Sequence, residues 1–401
     1  MKDRAHADKQ AESPGHSGRP GRRHASPSAT NPAPPAAAPL AASPGPGADG
    51  FDPFDAHAFA SALEHWFDDH GRHDLPWRRT TDPYAILVSE LMLQQTQVAT
   101  VVGGRYLERW LEAFPNLASL AAAPEAQVLK AWEGLGYYRR ARTLQSLARH
   151  LVEQQGPDPA LPAEPDQLAA LPGIGPYTAG AVASLAFHRR AALVDGNVAR
   201  ILARLFDWRQ PIDDTAGTRW CWRMAGRLVA ACRDPRSFNS ALMELGQRVC
   251  LSGRPRCGDC PVRGHCRAAA PGNALAPAAL PVRRPRPRPT EVEEAVLWQV
   301  RDGRLLLQRI AEGGRRAGLW QLPAITTPPT DRDPLCVLRY GITRYRVRLS
   351  VFGPTPGQAD PEGEHLAWLD PGERAGVAIA APYLKAIRRL EEAADGRLPG
   401  F

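Results

Sequence analysis

The sequence predicts a large, nearly all-α unit followed by a smaller α+β domain. Three observations carry this expectation. From Phe51 to about Arg267 apolar residues recur at helical spacing with hardly any strand signal. A proline- and arginine-rich linker follows. Beyond it the period falls to two: Ala295–Val300, then Asp302-Gly303, then Leu305–Ile310 has the pattern of a β-hairpin with a tight turn. At 401 residues the chain has room for about two to three domains.

Residues 1–51 are mainly Pro, Ala, Gly and Ser and cannot bury enough apolar surface to fold, so a disordered tail is expected. Ala56–His70 reads as a helix, with Phe59, Leu63 and Phe67 four apart. Asp82-Pro83 supplies an N-cap and a first-turn proline. The run from Ile86 to Phe114 after it reads as two helices. The helical unit spans 52–270, the semi-rigid basic linker 271–290, the α+β domain 291–395 and a short tail 396–401. Within the third part, Tyr345–Phe352 reads as a strand and Ala381–Ala393 as a closing helix. There is no internal repeat.

Net charge is +8, which suits a polyanionic partner. However, 46 of the 50 basic residues are arginine, and the accompanying Ala, Pro and Gly reads equally as compositional bias. No apolar run reaches the roughly 18 residues of a membrane helix. The charged start Met1-Lys2-Asp3-Arg4 lacks the apolar core of a secretory signal. The expectation is a soluble, cytoplasmic protein.

Two motifs carry chemistry. Four of the seven cysteines crowd together as Cys250-x6-Cys257-x2-Cys260-x5-Cys266. Such clustering is a metal site rather than a disulfide framework, and four thiolates hold Zn²⁺ or a [4Fe–4S] cluster. The loop also carries Arg254, Arg256, Arg263 and Arg267, which suits contact with phosphates. The second motif is Leu171-Pro-Gly-Ile-Gly-Pro-Tyr-Thr-Ala-Gly180 between two helix-like runs. Gly173 and Gly175 permit a tight hairpin whose N–H groups face outward beside a helix N-terminus, a nest for one phosphate. A carboxylate follows in Val194-Asp195-Gly196-Asn197.

Together with Pro76-Trp77-Arg78, Ser89–Val98, Gly134–Tyr138 and Phe238-Asn239, these motifs resemble the MutY-type adenine DNA glycosylases of the endonuclease III superfamily, over about 52–395. The resemblance implies a mostly α, two-lobed helix–hairpin–helix glycosylase core with a [4Fe–4S] loop on Cys250, Cys257, Cys260 and Cys266, plus a C-terminal α+β Nudix-like domain. It implies a monofunctional enzyme of base excision repair that removes adenine mispaired with 8-oxoguanine or guanine in double-stranded DNA, a monomer working on the nucleoid. Two alternatives are a glycosylase for another mismatched base on the same scaffold and a catalytically silent iron–sulfur DNA-binding module.

Glu90 shares a helix face with Leu87 and Gln94, where a half-apolar setting raises a carboxyl pKa enough to carry a proton near neutrality. The resemblance makes it the general acid at adenine N7. By the same resemblance Asp195 is expected to face the sugar, stabilising an oxocarbenium-like transition state or forming a transient adduct, and Asn197 to bond within the same site. Tyr177 stands where lyase relatives carry the Schiff-base lysine, so the lyase nucleophile is missing and the phenol is free to bond the carboxylates. Gln94, Gln95, Tyr137 and Tyr138 are expected to enter the DNA stack after base extrusion, Tyr137 by family position being the wedge. Trp77, Arg78, Gly173 and Gly175 complete the DNA-binding set. Ser240 stands where the family has Gln or Glu, so the adenine contact is expected to be weaker or water-mediated. Ile342-Thr343-Arg344 replaces a Phe-Ser-His-type loop: the aromatic stack is lost, the Thr343 hydroxyl is left to meet the lesion, and Arg344 stands in for the usual His and is expected on a phosphate. The hydrolytic Nudix box is absent, so the second domain is expected to bind without hydrolysing.

Overall fold

The computed structural model describes residues 54–273, 275–285, 287–313, 316–355, 361, 363 and 365–394. The expected tails at 1–51 and 396–401 lie outside them. Twelve helices build the first part of the described chain. α1 is Ala56–His70, capped by Asp55, whose side chain accepts from Ala58 N. Asp82 caps α2 (Pro83–Leu93) in the same way, with Pro83 in the first turn. The run expected as two helices is three: α2, α3 (Val98–Gly103) and α4 (Tyr106–Ala113). Gln95 and Arg105 adopt left-handed conformations, φ 60° and 47°, which helices cannot continue.

α5 (Leu117–Ala122), α6 (Glu125–Ala131) and α7 (Arg139–Gln155) close one side around fully buried Trp110 and Trp132. α8 (Pro165–Ala170) and α9 (Pro176–Phe187) flank the hairpin, then come α10 (Gly196–Leu205), α11 (Thr215–Ala230) and α12 (Pro235–Arg248). α9 packs against α2, α8 and α12, and α10 against α12. Four helix faces therefore converge at one place. Among the described residues no helix is long and apolar enough to cross a membrane.

The strands are β1 (Thr290–Leu297), β2 (Val300–Arg301), β3 (Arg304–Arg309), β4 (Trp320–Gln321), β5 (Cys336–Ile342), β6 (Tyr345–Phe352) and β7 (Leu366–Leu369). One sheet has the order β1-β6-β5, with β1 parallel to β6 and β5–β6 a hairpin. β2, β3 and β4 form the second, with β7 on β3. The expected hairpin is present, with Asp302 and Gly303 both at positive φ, but it is short. The stretch 295–300 is not one strand: β1 ends at Leu297 because its pairing belongs to the other sheet. α13 (Pro371–Gly376) and α14 (Ala381–Ala394) follow, and α14 buries Tyr383, Ile387 and Leu390 against the β5 side.

The sheet part docks on α6 and α7. Lys130 Nζ donates to Val377 O at 3.0 Å, Ile379 N donates to Glu133 Oε1 at 2.8 Å, and Arg142 donates to Ala317 O.

Candidate active site

Glu90 lies on α2 with its side chain turned into the interior, 3% exposed. Burial pushes its carboxyl up to about 7. A hydrogen bond from Tyr177 and the charge of Arg78 oppose the shift, and the charge of Asp195 adds to it. The Tyr177 hydroxyl donates to Glu90 Oε2 at 2.8 Å and stands 3.6 Å from Met243 Sδ. Tyr177 is in the first turn of α9, so the hairpin that follows α8 aims the phenol at the carboxyl. Gln94 Nε2 donates to Thr178 Oγ1 at 3.2 Å and ties the end of α2 to the same turn.

Asp195 is the N-cap of α10. Its Oδ1 accepts from Asn197 N (2.9 Å) and Val198 N (2.7 Å), and its Oδ2 from Asn197 Nδ2 (2.8 Å). Capping fixes the carboxylate's direction. Arg200 Nη2 donates to Asn197 Oδ1 (2.9 Å) and Gly246 O (2.8 Å), and Arg200 Nε donates to Cys250 O (2.8 Å). A continuous hydrogen-bonded chain thus runs from Asp195 to the first cysteine of the loop. Gly246 is required here: a β-carbon would stand 2.7 Å from that of Asn197.

The hairpin has the expected form. Gly173 sits at φ 79° and Gly175 caps α9, with Pro176 in the first turn. Gln95 and Tyr137 are exposed in left-handed backbone conformations. Between them lies Arg140, 8% exposed. Its Nη1 donates to Leu91 O, Met92 O and Gln94 O, and its Nη2 to Thr96 Oγ1, Leu135 O and Gly136 O. One guanidinium holds both loops.

Four residues of the expected DNA-binding set lie inside the protein. Tyr138 is 6% exposed, directs its hydroxyl toward Ile379 O and packs the interior. Trp77 is 9% exposed and belongs to the core. Arg78 is bonded to Glu244 (2.8 Å) and to Arg72 O, and lies over the Phe67 ring, so its guanidinium is consumed inside the protein. Ser240 is buried on α12. The physical reason is common to all four: polar or aromatic identity in a motif does not show which face of the helix the residue occupies. Thr343 and Arg344 form the exposed tip of the β5–β6 hairpin, where Arg344 stacks on Tyr345 at 5.2 Å.

The four loop cysteines are half-buried free thiols. Burial, and behind it the charges of Cys250, Cys266 and Cys257, push the Cys260 thiol up to about 11, so the sulfurs stand within one another's field. Fully buried Arg204 donates through Nη1 to Cys250 Sγ at 3.2 Å. Among the described residues no three His, Cys, Asp or Glu side chains are drawn together tightly enough for one metal ion. Four half-buried thiols with the buried Arg204 cation behind Cys250 are a donor set that fits an anionic iron–sulfur cluster.

Arg140, Arg200, Arg204, Met243 and Glu244 were not foreseen. The available signal was arginine at i and i+4 within an otherwise apolar helix, Arg200 and Arg204.

A glycine hairpin between two helices, with a capped aspartate downstream and a buried glutamate opposite, defines a helix–hairpin–helix DNA-repair glycosylase. Residues 88–220 match the model of the HhH-GPD superfamily base excision DNA repair proteins. The adenine DNA glycosylase of Mus musculus is 33% identical over 87% of this chain and 81% of its own. That of Homo sapiens is 37% identical over 69% and 59%, and that of Mycolicibacterium smegmatis 43% over 50% and 66%. The chain belongs to the adenine DNA glycosylase family.

Proposed function

We propose that the chain excises adenine opposite 8-oxoguanine or guanine in double-stranded DNA, acting as a monomer on the nucleoid in the cytoplasm. Its family makes it a DNA glycosylase of base excision repair specific for adenine. The observation that carries the mechanism is the buried Glu90 carboxyl, held by Tyr177 beside Asp195 and pushed to about 7. Such a group carries a proton at working pH and can still release it. Glu90 gives its proton to N7 of the extruded adenine. The C1′–N9 bond breaks, and its electron pair leaves with the base. Asp195, aimed by Asn197 and the α10 cap, faces the oxocarbenium ion. Water adds to C1′, its proton passes to Glu90, and an abasic site remains. No lysine stands at Tyr177, so the strand stays whole.

Gly173 and Gly175 hold a phosphate, while Gln95 and Tyr137, with Gln94 behind them, fill the emptied stack. Cys250, Cys257, Cys260 and Cys266 hold a [4Fe–4S] cluster, which keeps the arginine-bearing loop in shape. The sheet part is a Nudix-like reader with Thr343 toward the lesion and Arg344 toward a phosphate.

The test is strand nicking of A:8-oxoG, A:G, T:G and A:T duplexes with and without alkali. Cleavage of the first two, seen only after alkali, is expected. Equal cleavage of T:G would overturn adenine specificity. Purified protein should hold about four iron per chain, and zinc in its place would overturn the cluster.

A further inference from the structure

We propose that Arg283, carried by the linker and not by the helical unit, holds the DNA phosphate beside the nucleotide that loses its base. The proposal rests on the glycosylase reading of Glu90 and Asp195.

The linker at this point is not a free spacer. Arg204 Nε donates to Pro277 O (2.7 Å) and Leu280 O (3.1 Å), and the Leu280 side chain is 1% exposed. Ile212 N donates to Val282 O at 3.0 Å. Arg284 N donates to Asp213 Oδ1 at 3.0 Å, and the Arg284 guanidinium reaches Asp214 at 3.5 Å. Arg283 therefore sits between two backbone groups that are both tied to the helical unit, and its origin is fixed.

Its side chain reaches the first turn of α10. A β-carbon added at Gly196 would stand 4.0 Å from Arg283 Nη2, and Gly196 directly follows Asp195. The Arg283 guanidinium is exposed and has no hydrogen bond or ion pair among the described residues, although its charge is felt at Arg200 and Asp213. It is not the counter-ion of Asp195, whose oxygens are filled by Asn197 and Val198.

Those same bonds take up the Asn197 and Val198 N–H groups at the α10 start, leaving less of the helix end to receive an anion. A nucleotide with its sugar at Asp195 brings its 5′ and 3′ phosphates to this rim, because each is one oxygen away from the deoxyribose. A fixed guanidinium without a partner suits a phosphate's geometry and charge. Arg284 cannot take this role, since Asp214 neutralises it.

The test uses full-length protein and an A:G duplex carrying 2′-fluoro-deoxyadenosine, which resists cleavage. Affinity is measured across salt concentrations. Arg283→Ala should bind about three- to tenfold more weakly, and its log–log salt slope should be shallower by about 0.9, one phosphate contact. Arg283→Lys should keep the slope. A neutral methylphosphonate placed 5′ or 3′ of the target nucleotide should weaken wild type at one of the two positions and add nothing to Arg283→Ala there. Equal penalties in both proteins at both positions, or an unchanged slope, overturn the proposal while wild type still cleaves unmodified A:G. If wild type releases no adenine, the glycosylase reading falls, and the proposal falls with it.

Discussion

The Tyr177 hydroxyl lies 2.8 Å from Glu90 Oε2, joining residues 87 positions apart in the chain. The bond places a neutral donor on a carboxyl that burial keeps near a pKa of about 7. Burial also pushes the phenol well above its ordinary range, so it remains a donor throughout the working pH range. A phenol from the hairpin helix thus acts on the acidity of the proposed general acid.

Replacing Glu90 with Gln should abolish base excision while leaving DNA binding intact, a loss of at least about 10² to 10⁴-fold for a general acid. Excision within threefold of wild type would refute the assignment. Stability gives an independent check. The folded pKa of Glu90 is raised from 4.5 to about 7, so its contribution is fully present below pH 4.5 and is lost as pH rises through 7. The full penalty is roughly 3 kcal/mol. Glu90→Gln should therefore melt higher than wild type at pH 8 and similarly at pH 4.5.

Tyr177→Phe removes a hydrogen bond that lowers the Glu90 pKa. The acid form then persists to higher pH, and the alkaline limb of the single-turnover rate should move upward from about 7. A limb that stays in place would show that another group sets it.

Arg140→Lys keeps the charge but loses the fork that reaches the carbonyls at both ends, from Leu91 to Gly136. Gln95 and Tyr137 should lose their fixed geometry. Excision from a paired A:G duplex should fall about tenfold or more, and less where the adenine lies opposite an abasic gap, since extrusion there costs less. Equal losses on both substrates would argue for general destabilisation.

Removing residues beyond Arg288 should leave A:G cleavage in place and reduce preference for A:8-oxoG several-fold, as the loss of one or two hydrogen bonds of about 1 kcal/mol implies. The cut must fall after Arg284, because the linker up to that residue is bonded to the helical unit. An unchanged preference, from competition binding, would mean that discrimination lies wholly before the linker.

Some features were readable from sequence because local chemistry dictates them. Asp82-Pro83 starts a helix through a side-chain cap. Gly173 permits the hairpin, and Asp302-Gly303 the strand turn. Glu90's apolar helix neighbours announce its burial. Tertiary structure decided whatever depends on which groups meet across the chain. Tyr138, Trp77 and Arg78 turned inward because neighbouring helices cover them, which no motif encodes. Arg140, Arg200 and Arg204 found their carbonyl partners only when distant backbone segments converged. Arg283 reached Asp195's helix because Arg204, Ile212 and Asp213 tie the linker down. A linker read as a spacer is tied to the helical unit, because hydrogen bonds formed across about seventy residues leave no trace in composition.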